Sequence, residues 1–338
     1  MAWQVLLLML AVIVTVLLAL TMTLNLVDRH GSNAARPGDR RGSSSDPFSG
    51  QRLFVDPYSP AAQAEASLER SDPAVAALLR KVSDHPAGIW LGGWIPATRV
   101  AAVVKAVMRQ AATSHSMPLL VLYAFPYHGC EHDATGGLAG AAYERWIGQV
   151  VAGIGTGRAA VILEPDALAE YVRLDCLPPT EQQDRITVIR RAVGQLVRSP
   201  KTAVYIDAGN SGWRSPNVMA SLLLAAGVGE TRGFSLNVSN FNSTAAEEAY
   251  GDQISGLAHG AHYVIDTSRN GAATAKTWCN PPGQALGVPP TASTGNPLVD
   301  ALLWIKVPGT SDGPCSGGPA AGTFWLSYAV GLAANARW

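Results

Sequence analysis

From residue 88 onward, short apolar runs alternate with longer stretches in which apolar residues recur every three or four positions. The runs are 88–91, 118–124, 159–163, 202–206, 233–238, 262–265 and 301–305. The longer stretches are 98–112, 138–154, 181–198, 216–226, 245–259 and, at the end, 322–336. Within 184–198, Ile186, Ile189, Val193, Leu196 and Val197 keep a helical period, while Arg190, Arg191 and Arg198 can face water. Strand then helix, about seven times, predicts an α/β fold with parallel strands. The first expectation is a (β/α) barrel of seven to eight strands, and the second is a doubly wound open sheet. No Gly-x-Gly-x-x-Gly or Walker-type loop follows the first strand, which lowers the nucleotide-binding version. Two short helices, 59–70 and 73–82, precede the alternation, and Pro73 after Asp72 marks a helix start.

The run at 160–163 is apolar or small on both faces, as in a parallel strand covered by helices. It ends in Glu164-Pro165-Asp166. Pro165 has no N–H and ends the ladder. The two acids then lie at the C-terminal lip, where barrels and doubly wound sheets place their chemistry. Asp166 could equally cap the stretch that follows. The other strand ends carry Trp90 and Trp94, Tyr123, Asp207, Asn237, Asp266 and Lys306. One polar strand end is usually a cap, whereas a ring of them reads as an active site.

Ahead of this domain, residues 3–27 form a nearly uncharged apolar run, long for a signal core and without a clear Ala-x-Ala site after it. No Lys or Arg precedes the run, while Arg29, Arg36, Arg40 and Arg41 follow it, an asymmetry that would keep the body cytoplasmic. The adopted expectation is export, with residues 1–27 acting as signal peptide or membrane anchor and the domain secreted or held outside. Residues 28–47, rich in Gly, Ser, Pro and Arg, read as a flexible tether, and 48–338 as the folded domain. The full chain is 48% hydrophobic and 15% charged with no net charge, which argues against a nucleic-acid partner.

The four cysteines are Cys130, Cys176, Cys279 and Cys315. An even number behind an export segment suggests two disulfides, and the sequence permits three pairings. The alternative is metal, since His128-Gly-Cys130-Glu-His132 places three possible ligands together. The remaining cysteines lie far away without Cys-x-x-Cys spacing, so disulfides are preferred.

Three carboxylates recur in loop contexts: Asp166, Asp207 in Ile-Asp-Ala-Gly, and Asp312 in Pro-Gly-Thr-Ser-Asp-Gly. Paired carboxylates at a barrel mouth are the usual equipment for breaking glycosidic bonds. A second negative charge raises the pKa of an acid beside it, and Asp207 could do that for Asp166. Trp90, Trp94, Trp213 and Trp278 all follow strands, and aromatic faces on one rim suit the apolar face of a sugar ring. Neither a nucleophile-elbow serine nor His-Glu-x-x-His is present, which disfavours serine or zinc hydrolysis.

At these residues the sequence resembles glycoside hydrolase family 6, the inverting β-1,4-glucanases and cellobiohydrolases, over about 48–338. The motifs are Leu-Glu-Pro-Asp166, Tyr-Ile-Asp207-Ala-Gly-Asn-Ser-Gly-Trp213, Asn237-Val-Ser-Asn240-Phe, Ile-Asp266-Thr-Ser-Arg-Asn-Gly271, Trp278-Cys279-Asn and Trp304-Ile-Lys306-Val-Pro-Gly-Thr-Ser-Asp312-Gly. The resemblance implies a distorted barrel with a cleft across the strand ends. It implies Asp166 as general acid, with Asp207 tuning it and holding the adjacent sugar. Asp312 matches the position often proposed as base, and Tyr123 would sit beneath the distorted ring. Trp90, Trp213 and Trp278 match sugar-stacking positions, and Asn237 and Lys306 match hydrogen-bonding ones. Cys130–Cys176 and Cys279–Cys315 match the family's disulfides. Inversion implies acid and base carboxyls roughly 6.5–9.5 Å apart, with a water between base and sugar. No metal or organic cofactor is implied, and the partner is a β-glucan oligo- or polysaccharide bound by a monomer.

The chain departs from the family pattern in places. Gly129 stands where the family has an aspartate, with Glu131 and Asp133 as the nearest carboxylates. Thr310, Asn210 and Gln284 replace a Glu, a His and an Arg. The leading expectation is an exported, endo-acting glucanase, because the Cys279–Cys315 loop is short for a roof over the cleft. The alternative is a catalytically weakened glycan-binding protein on the same barrel.

Overall fold

The computed structural model describes residues 46–125, 138, 140–172 and 179–338. The apolar segment 3–27, most of the tether, Cys130, Cys176, Gly129, Glu131, Asp133 and the His128/His132 pair lie outside the described residues. Ser44–Trp338 form one compact unit. Two helices, α1 (Pro60–Leu68) and α2 (Pro73–Ser83), lead into the sheet. Both carry Pro in the first turn behind a capping side chain, Ser59 bonding Ala62 N and Asp72 bonding Val75 N.

Seven parallel strands follow in simple order: β1 (Ile89–Gly92), β2 (Leu119–Tyr123), β3 (Ala159–Leu163), β4 (Thr202–Asp207), β5 (Gly233–Leu236), β6 (His262–Asp266) and β7 (Val299–Leu303). The helices between them are α3 (Ala97–Thr113), α4 (Gly140–Ile154), α5 (Pro179–Leu196), α6 (Pro216–Ala226) and α7 (Thr244–Leu257), and α8 (Leu326–Ala334) closes the chain. No helix bridges β6 and β7, where residues 267–298 form a long loop. The expected count of seven to eight strands resolves to seven among the described residues. The sheet curls into an open barrel. Its first and last strands share no ladder, but Gly88 N donates to Trp304 O at 2.9 Å across the gap.

The strands are apolar throughout because both faces are buried. In β2, Leu120 and Leu122 pack with the helices, while Leu119 and Val121 point inward. In β3, Val161 and Leu163 go outward, and Ala160 and Ile162 inward. This period of two carries the inner set upward, so that Trp90 packs on the inner cluster and Asp207 follows Tyr205 on the same face. At the opposite end of the strands, Asp300 accepts from Arg232 at 2.6 and 2.7 Å and from the Tyr205 hydroxyl at 2.6 Å, tying β4, the entry to β5 and β7 together. The polar strand ends and the large cleft lie at the C-terminal end of the barrel. Among the described residues no helix is long and apolar enough to cross a membrane.

Candidate active site

Glu164 leaves β3 with φ of +51° and Asp166 has φ of +73°, both in the left-handed region. Such non-glycine conformations cost on the order of 1–3 kcal/mol each. Hydrogen bonds of the Glu164 carboxylate hold the first of them. That carboxylate, 1% exposed, accepts from Ala124 N and Phe125 N at 3.1 Å and from the Tyr143 hydroxyl at 2.9 Å. Glu164 thus ties down the chain leaving β2 and does not border the cleft.

Asp166 does border it. Its backbone N–H donates to Asp207 Oδ1 at 2.9 Å, so the two acids are linked through the main chain. Asp207 is completely buried and accepts twice more, from Gly209 N at 2.9 Å and from the Ser235 hydroxyl at 3.1 Å. Burial pushes both carboxyls up. Asp166 is held well above the usual carboxylate range by burial, then by the charges of Asp207 and Glu170. Burial raises Asp207 to about 7, against the pull of its three donors. Three donors favour the anion on Asp207, so a proton held by the pair resides on Asp166. Asp207 is fully buried and does not line the cleft, and its link to Asp166 runs through the Asp166 N–H.

Asp312 also borders the cleft, with its side chain 4% exposed. Oδ2 accepts from Arg269 Nη1 at 2.7 Å and from Asn280 N at 3.1 Å, and Oδ1 pairs with Lys306 Nζ at 3.1 Å. Burial pushes this carboxyl up, but Arg269 and Lys306 outweigh burial and hold it below its ordinary value. Arg269 is fully buried, lies 4.3 Å from the Phe241 ring centroid and also donates to Ser239 O. The Asn280 side chain receives Asp312 N at 2.8 Å and donates to Gly313 O at 2.8 Å, and the neighbouring Cys279 is disulfide-bonded to Cys315. Both oxygens of Asp312 are engaged by cations.

The cleft has a volume of about 1930 Å³, larger than the roughly 300–1,000 Å³ usual for a small-molecule site. Trp90, Trp94, Trp213 and Trp278 border it, with Trp94 54% and Trp278 64% exposed. Trp90 is fixed by its indole N–H donating to Ile305 O at 2.9 Å, by an edge contact with Tyr123 at 5.4 Å, and by Lys306 Nζ at 5.6 Å from the ring. Tyr123 also lines the cleft, and burial drives its hydroxyl far above the ordinary range. Thr310 and Asn210, two departures from the expected pattern, are on the wall, whereas Gln284 is buried away from it.

Asn237 is not a cleft residue, contrary to expectation. It is fully buried with φ of +64°, and its amide group bonds Asn242 O, Asp266 O and Asn242 N. Asp266 is likewise buried and accepts from Ser239 N, Ser268 N, Ile305 N and Lys306 N. Three features went unread in the sequence. Arg269 lies within Ile-Asp266-Thr-Ser-Arg-Asn-Gly271, where its sequence position alone marks no role. Glu170 lines the cleft one turn after Asp166. Glu247, fully buried on α7, accepts from Ser211 N, the Ser211 hydroxyl and Asn242, which pins the loop bearing Trp213.

The family model for glycosyl hydrolases family 6 matches residues 48–336. Endoglucanase A of Cellulomonas fimi is 41% identical over 286 residues, covering 85% of this chain and 62% of that protein. Endoglucanase 1 of Streptomyces halstedii is 37% identical, covering 80% of this chain and 85% of that protein. The solved endoglucanase Cel6 of Mycobacterium tuberculosis, in complex with a methyl-cellobiosyl-thio-cellobioside, superposes with a TM-score of 0.81 at 46% identity, covering 86% of this chain and 99% of that one. The chain spans 62% of the length of the C. fimi enzyme and of Endoglucanase A from Thermobispora bispora.

Proposed function

The chain belongs to glycosyl hydrolases family 6, and on that premise we propose that it hydrolyses β-1,4-glucosidic bonds of cellulose-like glucans within the chain and with inversion. One observation carries the reading: Asp166, whose carboxyl is held well above the usual range by burial and then by the charge of Asp207, borders an aromatic-lined cleft, and its N–H donates to Asp207 Oδ1 at 2.9 Å. Asp166 donates its proton to the departing glycosidic oxygen. Asp207 stabilises the strained turn before the transfer and the charge balance after it. A water attacks the anomeric carbon from the opposite face of the ring, and its proton passes to cleft water.

Trp90, Trp213 and Trp278 stack on successive rings, and Tyr123 supports the distorted one. Asp312 acts as the fixed counter-charge of Lys306 and keeps the ammonium near the substrate hydroxyls beside Trp90. Endo action is supported by the two exposed tryptophans at the rim and by the endoglucanase relatives. Export is part of the reading, supported by the Cys279–Cys315 bond, since disulfides persist in oxidising compartments.

The test follows viscosity and reducing ends together on a soluble β-1,4-glucan. Viscosity should collapse while few reducing ends have formed. Release of disaccharide without viscosity loss would reverse the endo assignment. Binding with no turnover at all would replace the hydrolase by the glycan-binding alternative.

A further inference from the structure

Two buried carboxylates clamp the segment 207–213, which carries Trp213 to the cleft. The first is Asp207 itself, which takes Gly209 N at 2.9 Å and fixes the start of the turn. The second is Glu247, in the first turn of α7 and completely buried. Its carboxylate accepts from Ser211 N at 3.0 and 3.2 Å, from the Ser211 hydroxyl at 2.7 Å and from Asn242 Nδ2 at 2.9 Å. Asn242 Nδ2 also donates to Asn210 Oδ1 at 3.0 Å, and the same oxygen takes Gly212 N at 3.0 Å. Asn242 is held in turn by buried Asn237 and Asn270, which bond its main-chain N–H and carbonyl. Asn210, Gly212 and Trp213 border the cleft, whereas Glu247, Ser211 and Asn242 stand behind it.

We propose that Glu247 is a positioning residue for the sugar site at Trp213: from behind the cleft wall it fixes Ser211 and Asn242, and through them it holds the indole in the pose on which a sugar ring stacks. This rests on the reading of Trp213 as a sugar-stacking residue. The indole has a seat beneath it. It packs against the outer core, and a Cβ at Gly209, whose φ is +66°, would lie 3.0 Å from its Cε3. The seat limits movement inward, while sideways placement comes from the turn. There Trp213 N donates to Asn210 O at 3.0 Å, and the Asn210 side chain leads through Asn242 to Glu247. An aromatic face adds most to binding when it is already ordered, because a mobile one loses rotamer freedom as the ligand arrives. A carboxylate suits the anchoring task, since hydrogen bonds to an ionised acceptor are the stronger kind and the N-terminal turn of a helix favours negative charge. Removing it leaves the Ser211 N–H and hydroxyl without their acceptor. The hydrogen bonds of Glu247 go to Ser211 and Asn242 and not to Asp166 or Asp207, so its effect falls on binding and not on proton transfer.

The experiment measures kcat and KM on a cello-oligosaccharide for wild type, Glu247→Ala, Glu247→Gln, Trp213→Ala and the Glu247→Ala/Trp213→Ala double variant, with melting temperatures taken alongside. Glu247→Ala should raise KM roughly tenfold, the size of one charge-assisted hydrogen bond, with kcat little changed. Glu247→Gln keeps an acceptor of the same reach and should return KM most of the way to wild type. In the Trp213→Ala background, Glu247→Ala should add nothing further to KM, because residues that act as one unit are not additive. Equal factors in the two backgrounds overturn the proposal, as does a loss confined to kcat. A merely structural Glu247 would lower the melting temperature without that coupling. If Glu247→Ala does not fold, Glu247→Asp, which keeps the charge but falls one methylene short of Ser211, carries the same cycle. A wild-type KM in Trp213→Ala would remove the stacking site itself. A raised KM in Trp213→Ala with a wild-type KM in Glu247→Ala would remove Glu247 alone.

Discussion

Asp312 accepts from Arg269 at 2.7 Å and pairs with Lys306 at 3.1 Å, and Arg269 is itself fully buried. Its folded pKa lies below the ordinary 3.8 because the two cations outweigh burial. A depressed carboxylate contributes stability above its unfolded pKa and loses it as pH falls through the folded value. Asp312→Asn should therefore destabilise the protein at pH 7 by about 3–5 kcal/mol, the usual cost of leaving a buried charge unpaired. The gap from wild type should narrow below about pH 4, and urea unfolding at both pH values would check it. Asp166 has the opposite sign. Its folded pKa is raised, so the folded state binds more protons than the unfolded state above pH 3.8 and stability declines as pH rises through that window. Asp166→Asn should cut turnover of a cello-oligosaccharide by roughly 10²–10⁴-fold and raise the melting temperature at pH 7, with no gain at pH 3. A lower melting temperature at pH 7 would mean that the carboxyl is not held against its charge.

At the strand ends, the ring of polar residues divides into two tiers. Trp90, Trp94, Tyr123, Asp166 and Lys306 border the cleft, while Glu164, Asp207, Asn237 and Asp266 are buried and hold loop N–H and C=O groups. The strands themselves were legible because unbroken apolar runs between helical periods have few other meanings in a chain of this length. The two tiers were not legible. Side-chain direction past a strand end depends on backbone dihedrals, and Glu164 at +51° and Asn237 at +64° turn away from the alternation that β3 and β5 would have continued. Asp166 was readable as chemistry because Pro165 fixes where the strand stops. Glu170 was not, because a lone Glu in a loop carries no periodic signal. The disulfide works at this same scale, tying Asn280 and Asp312 into one loop pair across a separation of 36 residues. Replacing Cys279 and Cys315 by Ser should cost on the order of 3–4 kcal/mol and raise KM more than it lowers kcat, since Asp166 lies elsewhere. A stability loss with unchanged KM would show that the loop holds its shape without the bond.

For the whole molecule, the closed N-terminal end and the open cleft divide the work. The Asp300–Arg232 pair and the inner apolar layer fill one end of the barrel, and the large cleft lies across the other. The cleft holds about 1930 Å³, and Trp94 and Trp278 stand exposed at its rim, which is what the proposed endo action on a polymer would require. In the proposed reaction Asp166 supplies the proton that lets the glycosidic oxygen leave. The most direct measurement compares wild type and Asp166→Asn on two substrates, a cello-oligosaccharide and a cellobioside bearing a dinitrophenolate leaving group that departs without protonation. If Asp166 is the acid, the variant loses roughly 10²–10⁴-fold on the oligosaccharide, the scale of general acid catalysis, with the activated substrate largely spared. Equal losses on both substrates, or no loss on the oligosaccharide, would contradict it.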